Sequence, residues 1–161
     1  MRIKILELLD SDAKFSVSDI AAILGEKEED VEAEIRMLEK EKIICGYTAL
    51  IDWDRTDKDF VTALIEVRVT PQRGNGFDKI AERIYRFKEV KSVYLISGAY
   101  DLLVSIEGKT LKEVAFFVSD KLSAIDSVIS TATHFVLKKY KDHGKILVED
   151  RNKDERMIIA P

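Results

Sequence analysis

The spacing of apolar residues changes once along this chain of 161 residues, close to residue 46, and that change limits the possible folds most. Before it the period is helical. Ile3, Ile5, Leu6 and Leu9 make a short amphipathic segment that breaks at Ser11-Asp12. Ser16-x-x-Asp19 is a capping-box pattern ahead of Ile20, Ala21, Ile23 and Leu24, and Gly25 is placed to close that helix. Val31, Ile35 and Leu38 then form the buried stripe of a third helix, after a turn at Gly25-Glu26-Lys27. Helix, helix, short turn, helix is the plan of a helix-turn-helix.

After residue 46 the period shortens. GYTALID reads as a linking strand and DWDRTDKDF as a charged joint. Residues 60–69 alternate as a half-buried strand, TPQRGNG supplies turn residues, and 77–87 is helical with Ile80, Ile84 and Phe87 on one face. Strands over 90–98 and 100–108, joined tightly at Gly98-Ala99, precede a helix over 111–125 and a strand over 127–140. The order β-α-β-β-α-β is that of a ferredoxin-like sandwich, and "FKEVKSV" and "AIDSVIS" echo each other as duplicated halves would. The expected fold is therefore α+β. An N-terminal winged helix-turn-helix with its linking strand (1–52) precedes a βαββαβ domain (60–140) and a charged tail (141–161). Ile146-Leu147-Val148 in the tail could add an edge strand, and Met157-Ile158-Ile159 could pack on a partner subunit. Two helices cover only one face of such a sheet, so the bare face predicts a homo-oligomer.

Composition narrows the function classes. A net charge of −4 argues against a protein that coats nucleic acid without regard to sequence, while leaving room for a local basic surface. No apolar run is long enough for a membrane span, and MRIKILELLDSD is too acidic for a signal peptide, so a cytoplasmic protein without a membrane partner is expected. Cys45, in the apolar run Ile43-Ile44-Cys45, is expected to be a buried structural thiol. His134 and His143 lack neighbours at ligand spacing, so neither a metal nor a cofactor is expected.

DIAAILG with the third helix, IICGYTALID and SGAYDLLV together resemble the Lrp/AsnC, or feast/famine, regulators, from about Ile5 to Tyr140. The resemblance implies a transcription regulator that binds double-stranded DNA. It also implies homodimers assembling into higher oligomers and a small effector, typically an amino acid, held between subunits. Two departures stand out. The usual Ser or Thr cap of the third helix is replaced by Glu26 or Lys27, and that helix is unusually acidic.

Within LGEKEEDVEAEIRMLEK, Glu26, Glu28, Glu29, Asp30, Glu32, Glu34 and Glu39 stand against Lys27, Arg36 and Lys40. With about 100° per residue, the line opposite Val31, Ile35 and Leu38 holds Glu29, Ala33, Arg36 and Lys40, while most other acids fall on the flanks. That outer stripe can meet a DNA groove. The first-turn acids suit the helix dipole, and Glu32 with Arg36 and Glu39 with Lys42 are favourable spacings. Arg36 is the candidate base or phosphate contact, Lys27 and Lys40 are phosphate candidates, and Ser16 or Ser18 could meet the DNA backbone at a helix start.

The second candidate site is Ser97-Gly98-Ala99-Tyr100-Asp101. A zwitterion needs N–H donors for its carboxylate and an acid for its ammonium, and a Gly-containing turn followed by Asp101 offers both. An equally open reading makes Gly98 a turn former, Tyr100 a packing residue and Asp101 a cap. The family likeness would bring Ser130, Thr131 and Thr133 near a neighbouring subunit. Two other functions compete. One is an oligomeric effector-binding protein whose DNA head has weakened. The other is an enzyme like the haem-biosynthesis decarboxylases that share the two-domain plan, although SGAYD has no histidine and no catalytic constellation is visible, so no catalytic residue is assigned.

Overall fold

The computed structural model describes residues 1–70 and 76–148, and the chain divides into two compact units between Ile51 and Asp52. The first unit has three helices, α1 (Arg2–Ser11), α2 (Val17–Leu24) and α3 (Glu28–Lys40). Local chemistry sets their ends. Ser16 Oγ accepts the Asp19 N–H at 3.1 Å and Asp19 Oδ2 accepts the Ser16 N–H at 3.0 Å, which completes the capping box of α2. Gly25, at φ +69°, stops the helix in the left-handed region, and the Glu26 N–H reaches back to the Ala21 carbonyl at 3.1 Å. The N-cap of α3 is Lys27, which makes no side-chain cap, and Glu28, Glu29 and Asp30 fill the first turn where the dipole favours them. Ile5, Ile20, Ala21, Val31 and Leu38 form the buried core, with Ile35 and Leu24 packed against it.

Three expectations fail in this unit. GYTALID forms no strand, because no second strand lies beside it in this unit to satisfy its backbone groups. Glu39 does not pair with Lys42. The chain leaves α3 through a left-handed Lys42 (φ +60°), and Glu39 Oε1 instead accepts the Tyr47 hydroxyl at 3.0 Å. The same turn sends only Ile44 into the core, so Cys45 is exposed rather than buried, its Sγ 3.1 Å from the Lys42 carbonyl.

The second unit opens with a 3-10 turn (Trp53–Arg55) and continues as β1 (Val61–Val69), α4 (Asp78–Tyr85), β2 (Val90–Leu95), β3 (Leu102–Gly108), α5 (Leu111–Phe116), β4 (Val128–Phe135), β5 (Lys141–Asp142) and β6 (Lys145–Ile146). The four long strands form one antiparallel sheet in the order β2-β3-β1-β4. Alternation assigns its faces. Ala63, Ile65, Val67 and Val69 of β1 and Leu102, Val104 and Ile106 of β3 pack with Ile80 and Ile84 of α4, Val114 of α5, and Phe117, Leu122 and Ile125. Thr62, Leu64, Glu66 and Arg68 point to the other face, opposite Leu103, Ser105 and Glu107 on β3 or Ser130, Ala132 and His134 on β4.

The sequence echo has a backbone counterpart. Phe87 N–H donates to Ile84 O and Val90 N–H to Phe87 O, at 3.1 and 3.0 Å. Ile125 to Leu122 and Val128 to Ile125 repeat the pattern at 3.2 and 2.8 Å. The helix expected over 111–125 is α-helical only to Phe116 and then π-helical over Phe117–Leu122. Ile146 extends no edge strand of the main sheet. It lies in a separate hairpin turned by His143 and Gly144, both with positive φ, as a two-residue hairpin turn demands. The turn residues Pro71–Asn75 and the apolar triplet Met157-Ile158-Ile159 lie outside the described residues. Among the described residues no helix is long and apolar enough to cross a membrane, and no group of three metal-ligating side chains forms.

Candidate functional sites on the third helix and the 96–101 turn

On α3 the outer stripe is as the helical spacing predicts. Glu29, Ala33, Arg36 and Lys40 are all exposed, whereas Val31 and Leu38 are buried and Ile35 half-buried. Most flanking acids have partners. Glu34 is half-buried and meets Arg2 Nε at 2.7 Å, while Arg2 Nη2 reaches Glu41 Oε2 at 2.8 Å. This fork from α1 raises the Arg2 guanidinium further above its already high range, the Glu34 hydrogen bond being the largest influence. Glu39 is occupied by Tyr47. Glu32 Oε1 lies 2.5 Å from Arg36 Nη2, one helical turn away. Among the described residues Lys27 and Lys40 form no ion pair.

The two serines differ. Ser16 donates its hydroxyl to Asp19 Oδ2 at 2.6 Å, so its proton is committed within the cap, whereas Ser18 is exposed and makes no side-chain hydrogen bond among the described residues. The Ser16 hydroxyl, followed by its backbone N–H, holds the Asp19 carboxyl below its ordinary range.

The turn between β2 and β3 is longer than the tight joint expected at Gly98-Ala99. It runs over 96–101 and is closed by Ile96 N–H to Asp101 O at 2.8 Å. The end of β1 braces it. Asp101 N–H donates to Val67 O at 3.1 Å, Asp101 Oδ2 accepts the Val69 N–H at 2.8 Å, and Arg68 Nε donates to Ala99 O at 2.9 Å. Val69 sits where the β1–β4 register shifts, so Asp101 satisfies an amide freed by that bulge. Tyr100 is half-buried. Gly98 does not have a positive φ, and a Cβ built there would meet only Ile96 Cγ2 at 3.7 Å.

Register separates the β4 candidates. Ser130 lies opposite Arg68 and shares the open face with the turn's brace. Thr131 and Thr133 lie opposite Val67 and Ile65, so their side chains point to the helix-covered face. His134, unassigned by spacing alone, meets Glu66 Oε1 at 3.2 Å across β1 and β4. Arg2, Arg68 and Glu66 carry no local motif, since each acts across tens of residues.

At the opposite end of β3 lies an open cavity of about 1020 Å³, walled by Phe60, Phe116, Phe117, five lysines and five carboxylates. Two of its lysines meet carboxylates, Lys121 Nζ to Glu89 Oε1 at 2.6 Å and Lys91 Nζ to Glu107 Oε2 at 3.3 Å. None of the 96–101 turn lines it.

The sequence model of the Lrp/AsnC ligand binding domain matches residues 62–146. The chain is 53% identical to the uncharacterized HTH-type transcriptional regulator YugG of Bacillus subtilis (strain 168), over 98% of this chain and 95% of YugG. Two solved structures share its fold. MtbAldR has a TM-score of 0.75 at 21% identity, with 87% of this chain and 94% of that one covered. A transcriptional regulator from Neisseria meningitidis in complex with L-Met has a TM-score of 0.69 at 22% identity, with 88% and 90% covered. With a helix-turn-helix ahead of the matched domain and close similarity to YugG over nearly its whole length, the chain belongs to the Lrp/AsnC family of transcriptional regulators.

Proposed function

We propose that this protein binds double-stranded DNA in a sequence-specific way and that a small effector, an amino acid, modulates it between the subunits of a homo-oligomer. The carrying observation is the outward stripe of α3, where small, exposed Ala33 is followed by exposed Arg36 and Lys40 and the core residues lie behind. A helix in the major groove needs a narrow face of donors and small residues, and carboxylates engaged on the flanks do not obstruct it. In this reading Arg36 meets a base edge, Lys27, Lys40 and Ser18 meet phosphates, and Ser16 contributes by fixing the start of α2. Glu29, at the head of the stripe, suits a cytosine amino group better than a phosphate. The −4 net charge limits nonspecific attraction, and several heads in one assembly restore affinity.

The effector reading rests on the braced turn. Gly98, Ala99 and Tyr100 offer backbone N–H groups, Asp101 Oδ1 remains for an ammonium, and Ser130 lies across Arg68 on the same face. The L-Met held by the Neisseria regulator supports the chemical class. Thr131 and Thr133 would contribute only from the helix-covered side.

Selection of genomic fragments with and without amino acids tests both halves. A two-fold symmetric motif is expected, and Arg36→Ala should weaken its binding by about 1–3 kcal/mol in a gel shift. Random recovery of fragments would favour the second reading, an oligomeric effector-binding protein with a weakened DNA head. The seven carboxylates within residues 24–40 are what keep that reading in contention.

A further inference from the structure

Arg36 is the only arginine on α3, and the structure gives it a carboxylate partner on its own helix. Its Nη2 lies 2.5 Å from Glu32 Oε1, with both side chains open to solvent at 71% and 51% exposure. The helix's lysine Lys40 and the N-cap Lys27 form no such pair among the described residues. The difference separates two kinds of DNA contact. Attraction to phosphate depends on net charge, and a guanidinium hydrogen-bonded to a carboxylate has little left to offer at range. Recognition of guanine depends on direction, because two N–H groups must meet N7 and O6 together. The guanidinium carries five N–H donors in a rigid plane, and Glu32 occupies one edge of it through Nη2. Such a partner also restricts the rotation of a long, exposed side chain before DNA arrives.

Resting on the DNA-binding reading above, we propose that Glu32 is a positioning residue that makes Arg36 a reader of guanine rather than a phosphate contact. The two unpaired lysines carry the phosphate contacts. Each operator half-site then contains one guanine whose recognition depends on Glu32, although Glu32 itself touches no base. The acidity of this helix thus becomes part of its selectivity, since the pair gains nothing from a phosphate in the wrong register.

The test uses the full-length protein and a duplex enriched by it from genomic fragments. Each G·C pair of a half-site is replaced in turn by A·T, and affinities are read by fluorescence anisotropy over a salt series. With the unaltered protein, one replacement should cost about tenfold or more in affinity. In Glu32→Gln that loss should shrink to within about threefold, while binding to an unrelated duplex rises and its salt slope steepens by about one. Glu32→Asp keeps the charge on a side chain shortened by one methylene, so it separates pairing from plain repulsion. It should lose the same guanine discrimination with a smaller gain on the unrelated duplex. Unchanged discrimination in Glu32→Gln overturns the inference while leaving the regulator reading intact. Failure of the unaltered protein to enrich any duplex sinks the regulator reading first, and this inference with it.

Discussion

Gly98 is a glycine that the chain's own fold does not require. Its φ lies outside the left-handed region and an added Cβ would meet one side-chain carbon at an ordinary 3.7 Å, in contrast to Gly25 at φ +69°. A glycine that neither backbone nor packing needs leaves room for close approach by something outside the chain. Gly98→Ala should therefore leave the unfolding free energy within about 0.5 kcal/mol of the parent, as for a surface change. The same substitution should abolish the heat of amino-acid binding in calorimetry. A loss of stability well beyond that range, with binding intact, would make Gly98 a structural residue after all. Asp101 is the opposite case. One of its oxygens already serves the Val69 amide, so its removal would disturb the β1 bulge as well as any ligand and would not isolate the site.

At the scale of the element, the start of α2 shows what kind of contact is legible in a sequence. Ser16 and Asp19 lie three residues apart, and their reciprocal hydrogen bonds follow from that spacing alone. Ser16→Ala should cost about 0.5–2 kcal/mol in a denaturant unfolding experiment through loss of the cap. The titration behaviour follows with a definite sign. Because the Ser16 hydroxyl and N–H lower the Asp19 carboxyl in the folded state, the stability they confer is present above the ordinary carboxylate range. It is lost as pH falls through the lowered value, and Ser16→Ala should flatten that acid limb. The outer stripe of α3 was equally legible, since 100° per residue decides which side chains share a face. Contacts made across the chain were not. Arg2 with Glu34 and Lys121 with Glu89 each span 32 residues, and Arg68 with Ala99 spans 31, so no local pattern announces them. Two segments differ from expectation for different reasons, one distant and one local. The 96–101 turn takes its length from bonds to β1, and Cys45 is exposed because the left-handed Lys42 redirects the chain after α3.

For the whole molecule, the decisive asymmetry is between the two faces of the four-stranded sheet. One face is closed by α4, α5 and the π-helical turns into a continuous core. The other carries half-buried Leu64 and Leu103, Tyr94 at 56% exposure, and the Glu66–His134 pair. Such a surface is more apolar than solvent favours, which suits contact with a second copy. Leu103 lies at its centre, opposite Glu66 on β1 and Tyr94 on β2. Leu103→Glu would set a second carboxylate directly across from Glu66 on this face, and doubly so wherever two copies meet. The core face is untouched, so the variant should keep its far-ultraviolet circular dichroism while sedimenting as a smaller species than the parent. Its apparent affinity for a two-fold operator should fall by about two to four orders of magnitude, because paired reading heads gain that much by being joined. A variant that sediments with the parent would show that this face does not join copies of the chain. A smaller species that still holds the operator with parental affinity would show that one copy of α3 suffices, and that the charge on this helix is no obstacle requiring a second head.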